Sequence, residues 1–308
     1  MEAVQYSRHG PVPGAGHNRA RGLRAGTPAG FLAIAQLAEA NAGYRRPMPT
    51  AIVTGSDSGI GKATAVALAQ DGFDVGITWH SDQDGAAETA KEVESHGRRA
   101  EVRQLDLTDL PAAADVIDNL AETLGGVDVL VANSGTGTSE LAVDLDFEDW
   151  RKVISVDLDG AFLCLQRAAR RMIQQGRGGR LIAVTSVHEH QPRVGSAPYD
   201  AAKGGLGLLI KTLALELGEY GITANAVAPG EIATPMTGQE DEDPRGKNRP
   251  GVPLGRPGDA REIAAVIAFL ASPGAAYVTG ASIAADGGML NMGPMAGSHL
   301  TSDDWRRP

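Results

Sequence analysis

The sequence predicts an α/β fold, a single doubly wound parallel sheet with helices on both faces. Three observations carry this. From residue 50 onward, short β-rich runs alternate with helical patterns. The runs are apolar throughout rather than at every second position, and a glycine-rich turn joins the first run to the first helical pattern. Repeated strand–helix units make neighbouring strands parallel. Strands that are apolar on both sides need cover on both sheet faces.

The predicted strands, in order, are TAIVT (50–54), FDVGITW (73–79), AEVRQLDL (100–107), VDVLVAN (127–133), RLIAVTS (180–186), ITANAVA (222–228) and ASIAAD (281–286). Between them, apolar residues recur at spacings of three and four, as in GKATAVALAQDG (61–72) and GGLGLLIKTLALELGEYG (204–221), which is the period of a helix. No linker interrupts residues 48–290, which read as one domain. The polar, Pro/Gly-rich stretch 237–257 reads as a mobile loop. The tail 291–308 carries no pattern. Residues 1–47 hold Arg8, Arg19, Arg21, Arg24, Arg45 and Arg46 against only Glu2 and Glu39, among Gly, Pro and Ala. They are expected to form a disordered or loosely docked extension. An Arg-rich transit peptide and a start at Met48 are the alternatives.

The 308 residues are 42% hydrophobic and 21% charged, enough apolar material for a sizeable core. A net charge of -10 argues against a nucleic-acid partner, which would need a basic face. The single Cys164 excludes an intrachain disulfide and fits a reducing, cytoplasmic setting. No apolar run approaches the roughly 20 residues that span a bilayer, so no membrane partner is expected.

The first predicted strand runs into Thr54-Gly55-Ser56-Asp57-Ser58-Gly59-Ile60-Gly61 and then a helix. Glycines at such a turn let backbone N–H groups approach a pyrophosphate, and the helix N-terminus adds a favourable field. Between the first strand and first helix of a βαβ unit, this pattern points to a Rossmann-type dinucleotide site. The spacing is TGxxxGxG. Further along, Ser186, Tyr199 and Lys203 stand thirteen and then four positions apart, and NAVAPGEIAT occupies 225–234. Jointly these motifs resemble the short-chain dehydrogenase/reductase family over roughly residues 48–290. Within it, TGSDSGIG, ITWHSD, VDLDGAF and SVHEH are similar to uncharacterised bacterial members grouped with acetoin/diacetyl reductases.

The resemblance implies a cofactor set. Asp106 and Leu107 match the family's acid–aliphatic pair at the adenine. Ala132-Asn133-Ser134-Gly135 matches its NNAG element with Ala and Ser at the first and third positions, and Pro229, Gly230, Ile232 and Thr234 match its PG segment at the nicotinamide end. It also implies a homo-oligomer, often a tetramer. NAD-type sites place an acid at the end of the second strand, about 20 residues past the glycines. Here that end reads Thr78-Trp79-His80-Ser81, with the first acid, Asp82, beyond it. His80, Ser81 and Ser56 are the expected donors to a 2′-phosphate, which favours NADP over NAD.

Tyr199 and Lys203 share one helical face, and Ser186 ends a strand where such sheets open toward ligand. Tyrosine's reference pKa of about 10 is high for acid–base work, and a neighbouring ammonium stabilises the phenolate. By resemblance, Lys203 also holds the nicotinamide ribose and Ser186 the substrate oxygen. Ser186, Tyr199 and Lys203 would interconvert a carbonyl and a secondary alcohol, with Tyr199 as acid and base. Family members carry an Asn in the helix after the fourth strand, where a relay water is held. SVDLDG (155–160) has Asp157 there. Asp157 either keeps the relay with added negative charge or is a water-facing acid without a role.

His188 and His190 stand two apart in SVHEH, but a metal site needs a third converging ligand, and none is found, so no metal is expected. They read either as solvated loop histidines or, with Glu231, as substrate contacts, with the loop 235–252 as a second wall. A non-catalytic dinucleotide sensor or scaffold on the same fold is the alternative function.

Overall fold

The computed structural model describes residues 49–239 and 243–295, so the expectations for residues 1–47 and for most of the tail lie outside the described residues. The elements are β1 (Thr50–Val53), α1 (Gly59–Gln70), β2 (Asp74–Trp79), α2 (Gln83–Ser95), β3 (Ala100–Gln104), α3 (Asp115–Leu124), β4 (Val129–Ala132), α4 (Phe147–Ile154), α5 (Ala161–Gln175), β5 (Gly179–Val184), α6 (Ala197–Leu217), β6 (Ile222–Pro229), β7 (Ile232–Ala233), β8 (Gly258–Asp259), α7 (Ala260–Ala271) and β9 (Ser282–Ala285).

All seven predicted strands form, and they join in one sheet of order β3-β2-β1-β4-β5-β6-β9 with every pairing parallel. Successive residues of a strand point to opposite faces, so the continuous apolar runs feed two cores. Ile52, Leu130, Leu181 and Ala183 pack with the residues of α3, α5 and α6. Ala51, Val53, Val129, Val131, Ile182 and Val184 pack with those of α1, α2 and α7. The chain builds outward from β1 to β3, then returns to the other side of β1 with β4. That reversal opens a crevice at the carboxyl ends of β1 and β4, where doubly wound sheets take their ligands.

Two features escape the sequence periodicity. α4 and α5 are joined by a π-helical turn, Ser155–Gly160, rather than by a break. Insertions of this kind recur at functional sites. The second is a two-residue ladder, Ile232 with Gly258 and Ala233 with Asp259, which ties the segment after β6 to the start of α7. A ladder so short has no period to read.

The start of α7 is braced by charge. Asp259 caps the helix by accepting from the Arg261 N–H, and Glu262 reaches back to the Asp259 N–H, a reciprocal capping box. Hydrogen bonds from Arg261 hold the Asp259 carboxyl down at about 2 despite partial burial. Arg256 and the Asp259 N–H hold Glu262 at about 2 as well. Both values lie below those of the unfolded chain. Their stabilisation is therefore full above pH 4 to 5 and is lost as the pH falls toward 2. Asp259→Ala should cost about 1 kcal/mol at neutral pH, about 2–4 °C in Tm for a domain of this size. In thermal unfolding monitored by circular dichroism, that gap should narrow as the pH is lowered from 5 to about 2.

Candidate active site

The glycine loop is built by close approach. Gly55 and Gly59 adopt φ of +59° and +52°, a left-handed conformation that side-chain-bearing residues rarely take. A Cβ on Gly61 would lie 2.0 Å from the Gly55 carbonyl oxygen, so only glycine lets α1 start this close to β1. α1 begins after Ser58 with no side-chain cap and no acid in its first turn. Its first N–H groups and the positive end of its dipole are left for an anion. These features fit a dinucleotide pyrophosphate. Ile60 is partly buried against the α1 core.

The loop is clamped from β4. Asn133 Nδ2 donates to the carbonyls of Thr54 (3.0 Å) and Gly55 (2.9 Å), while Thr54 Oγ1 accepts from the Asn133 and Ser134 N–H groups. On the far side, a Cβ on Gly59 would lie 3.2 Å from Thr234 Cγ2, so the loop also packs on the segment after β6. In that segment Pro229 pairs with Ala285, Gly230 fits against Asp286, and Ile232 and Thr234 are buried.

One expected cofactor contact is corrected here, and two others are seen to have their side chains engaged within the protein. The Ser56 hydroxyl is fully buried, donating to the Val53 carbonyl and accepting from the Thr78 N–H, so it braces the loop to β2 and is not a phosphate donor. The Asn133 amide is likewise committed to the loop. The Leu107 side chain is buried against Gly160 and offers only its backbone. At the adenosine end, Asp106 accepts from the Thr108 N–H and hydroxyl, and those bonds hold its carboxyl below the usual range. His80 Nε2 lies 3.6 Å from Asp106 Oδ1. Ser81 is exposed, and Asp82 caps α2 through the Gly85 N–H. Burial pushes the Asp57 carboxyl up, with Asp82 adding and His80 opposing.

Ser186, Tyr199 and Lys203 are brought together by β5 and α6. Lys203 Nζ lies 5.3 Å from the Tyr199 ring centroid and 3.3 Å from the Val184 carbonyl oxygen. Ser186 Oγ accepts from the His188 N–H at 3.1 Å, which leaves its own proton free to donate. Asp157 is not water-facing. Its side chain is 0% exposed, with Oδ1 3.0 Å from Lys203 Nζ and Oδ2 accepting from the Thr136 N–H at 2.9 Å. A Cβ on Gly135 would approach Asp157 Oδ1 to 2.8 Å, so that glycine makes room for the carboxylate. Burial raises the Asp157 carboxyl, against the pull of Lys203 and the Thr136 N–H. Burial acts to lower Lys203, but the charges of Asp157 and Tyr199 outweigh it and hold the ammonium above the ordinary lysine value.

The two histidines part company. Residues 187–189 form a 3-10 turn capped by Ser186, not an extended run. His188 packs edge-on against Tyr199, with centroids 6.2 Å apart. His190 instead turns outward to Glu189 (3.4 Å) and to Ser282 on β9 (3.4 Å), away from the expected pocket. Glu231, expected to touch substrate, is held by Arg249 (2.7 Å) and Gln239 (3.0 Å), so it ties these two residues to the segment after β6. Arg249 and Gln239 were missed because nothing in the sequence marks a pairing across a loop. Among the described residues no three His, Cys, Asp or Glu side chains cluster to hold a metal ion.

A glycine loop at the sheet crevice, facing a Ser–Tyr–Lys group, defines a nicotinamide-dinucleotide oxidoreductase. A family model described as enoyl-(acyl carrier protein) reductase matches residues 55–290. The chain is 54% identical over 244 residues to the uncharacterized oxidoreductase YohF of Escherichia coli K12, covering 79% of this chain and 96% of that one. Two solved structures share the fold at a TM-score of 0.77. One, acetoin dehydrogenase YohF from Salmonella typhimurium, is 52% identical, with coverage of 82% of this chain and 99% of that one. The other, acetoin dehydrogenase from Enterobacter cloacae, is 50% identical, with coverage of 81% and 98%. This chain belongs to the short-chain dehydrogenase/reductase family, and it interconverts carbonyl and alcohol groups with a nicotinamide dinucleotide.

Asp157→Asn removes a negative charge beside Lys203 and leaves more net positive charge next to Tyr199. The phenolate needed to accept an alcohol's proton is then favoured. In alcohol oxidation, the kcat/KM–pH profile should be displaced toward lower pH relative to wild type. An unmoved profile would remove Asp157 from the chemistry.

Proposed function

We propose that Tyr199 is the general acid and base of this oxidoreductase, with Ser186 and Lys203 as its partners and a small hydroxy ketone of the acetoin type as substrate. The observation that supports this most is the convergence of the three side chains at the carboxyl end of β5, beside the glycine loop. Two structural neighbours that are half identical to this chain, both acetoin dehydrogenases by name, support the substrate class.

When bound, the nicotinamide supplies hydride to the carbonyl carbon. Tyr199 gives its phenolic proton to the developing alkoxide, and the Ser186 hydroxyl donates to the same oxygen, held in place by the His188 N–H. The Lys203 ammonium steadies the phenolate that Tyr199 becomes. Asp157 keeps that ammonium fixed and charged. The cradle residues are Thr54, Gly55, Ser58, Gly59, Ile60 and Gly61 with the β6 segment, where Ile232 and Thr234 face the nicotinamide end. The non-catalytic sensor reading finds no support among the relatives.

We favour NADP, on the absence of an acid at Trp79 and the exposed His80 and Ser81 at the end of β2. Asp106 shares His80, and Asp57 and Asp82 act on the same neighbourhood, so the preference is small. Large apolar side chains left exposed on α4 to α6, Phe147, Phe162, Leu208 and Leu215 among them, support self-association, and we propose a homotetramer. A cytoplasmic setting is proposed from the single cysteine, Cys164, which is buried and whose thiol burial pushes up to about 12. No helix among the described residues is long and apolar enough to cross a membrane.

Tyr199→Phe deletes the transferable proton and should lower kcat for ketone reduction by roughly 10²–10⁴-fold, with dinucleotide binding by fluorescence titration little changed. Activity near wild type would sink the assignment. Comparing kcat/KM for the two reduced cofactors should show NADPH ahead by less than about tenfold. A clear preference for NADH overturns that choice.

A further inference from the structure

His188 is held from two sides. Its N–H donates to Ser186 Oγ at 3.1 Å, which fixes the residue next to the serine. Its ring Nδ1 lies 2.9 Å from the Gln191 carbonyl oxygen. A carbonyl only accepts, so Nδ1 carries the hydrogen, and in the neutral ring Nε2 holds the lone pair. The ring stands at 75° to the Tyr199 ring, an edge-to-face contact that further limits its rotation. Nε2 makes no hydrogen bond to any described residue, although the side chain is half-buried. A fixed hydrogen-bond acceptor is thus presented beside two groups, Tyr199 and Ser186, that donate.

We propose that His188 Nε2 is the specificity-determining acceptor for a substrate hydroxyl on the carbon next to the reacting carbonyl. The substrate class is then an α-hydroxy ketone in reduction and a vicinal diol in oxidation. This rests on the carbonyl/alcohol reading above and deepens it. The complementarity is one of hydrogen-bond polarity. The carbonyl oxygen takes two donors, Tyr199 and Ser186, and the adjacent hydroxyl supplies the one donor that Nε2 lacks. A simple ketone has nothing to offer Nε2 and leaves a half-buried acceptor unpaired, which is the basis of strong discrimination by polar pockets. His190 plays no part, because it is turned toward Glu189 and Ser282.

The test compares 3-hydroxybutan-2-one with butan-2-one, which differ by that hydroxyl. Wild type should favour the hydroxy ketone in kcat/KM by roughly 10–100-fold, the worth of one well-placed hydrogen bond. His188→Leu, similar in bulk but without an acceptor, should lower kcat/KM for the hydroxy ketone by the same factor and for butan-2-one by less than about threefold. His188→Gln restores an acceptor at a similar reach and should recover most of the preference. Equal losses on both ketones would reduce His188 to packing against Tyr199 and overturn the proposal. So would a wild type that treats the two alike, which needs no variant to fold. Failure of wild type to reduce either ketone would instead overturn the carbonyl-reductase reading itself, and this proposal with it.

Discussion

A lysine ammonium buried in the protein interior must have a counter-charge, and the pairing of Lys203 with Asp157 is the interaction around which the site is arranged. Both side chains are almost wholly enclosed, at 4% and 0% exposure. Removing one partner from such a pair typically costs 3–5 kcal/mol, because the survivor is left charged and unsolvated. Several local features of the chain serve this contact. The π-helical turn between α4 and α5 carries Asp157 at its centre, and Thr136 ties the second carboxylate oxygen to the loop after β4. Gly135 is bare where a side chain would collide with the carboxylate. The same lysine then lies beside Tyr199, one helical turn back along α6.

The cofactor crevice follows from topology in the same way. β1 and β4 are neighbours only because the chain returns past its starting strand, and their ends place Thr54 against Asn133. The Asn133 amide satisfies two loop carbonyls and Thr78 takes the Gly55 and Ser56 N–H groups, so the donors left to an anion are those at the start of α1. Two side chains of this region brace that loop: Ser56 ties it to β2 and the Asn133 amide holds it from the end of β4. The outcome is preorganisation, with a rigid second layer holding backbone donors in place.

The fold was legible because its signal is repeated. Seven apolar runs alternate with helical periods, and each one formed within a few residues of its predicted bounds. The catalytic group was legible for a related reason, since YxxxK on one helix puts Tyr199 and Lys203 on one face whatever else happens. What could not be read was direction and pairing. SVHEH looks symmetrical in its histidines, yet the 3-10 turn capped by Ser186 sends His188 to Tyr199 and His190 out to β9. Glu231 was visible as an acid near the site, but its engagement with Arg249 joins positions 18 apart across a loop without periodicity.

The sequence by itself determined the sheet, the glycine turn, and which side chains carry the proton chemistry, since these depend on local period and spacing. Only the tertiary structure decided that Asp157 is a buried partner of Lys203 rather than a solvated helix acid. It alone separated the two histidines and turned Ser56 and Asn133 into braces. Those outcomes depend on which atoms meet across elements far apart in the chain, and burial then gives each contact its energetic weight.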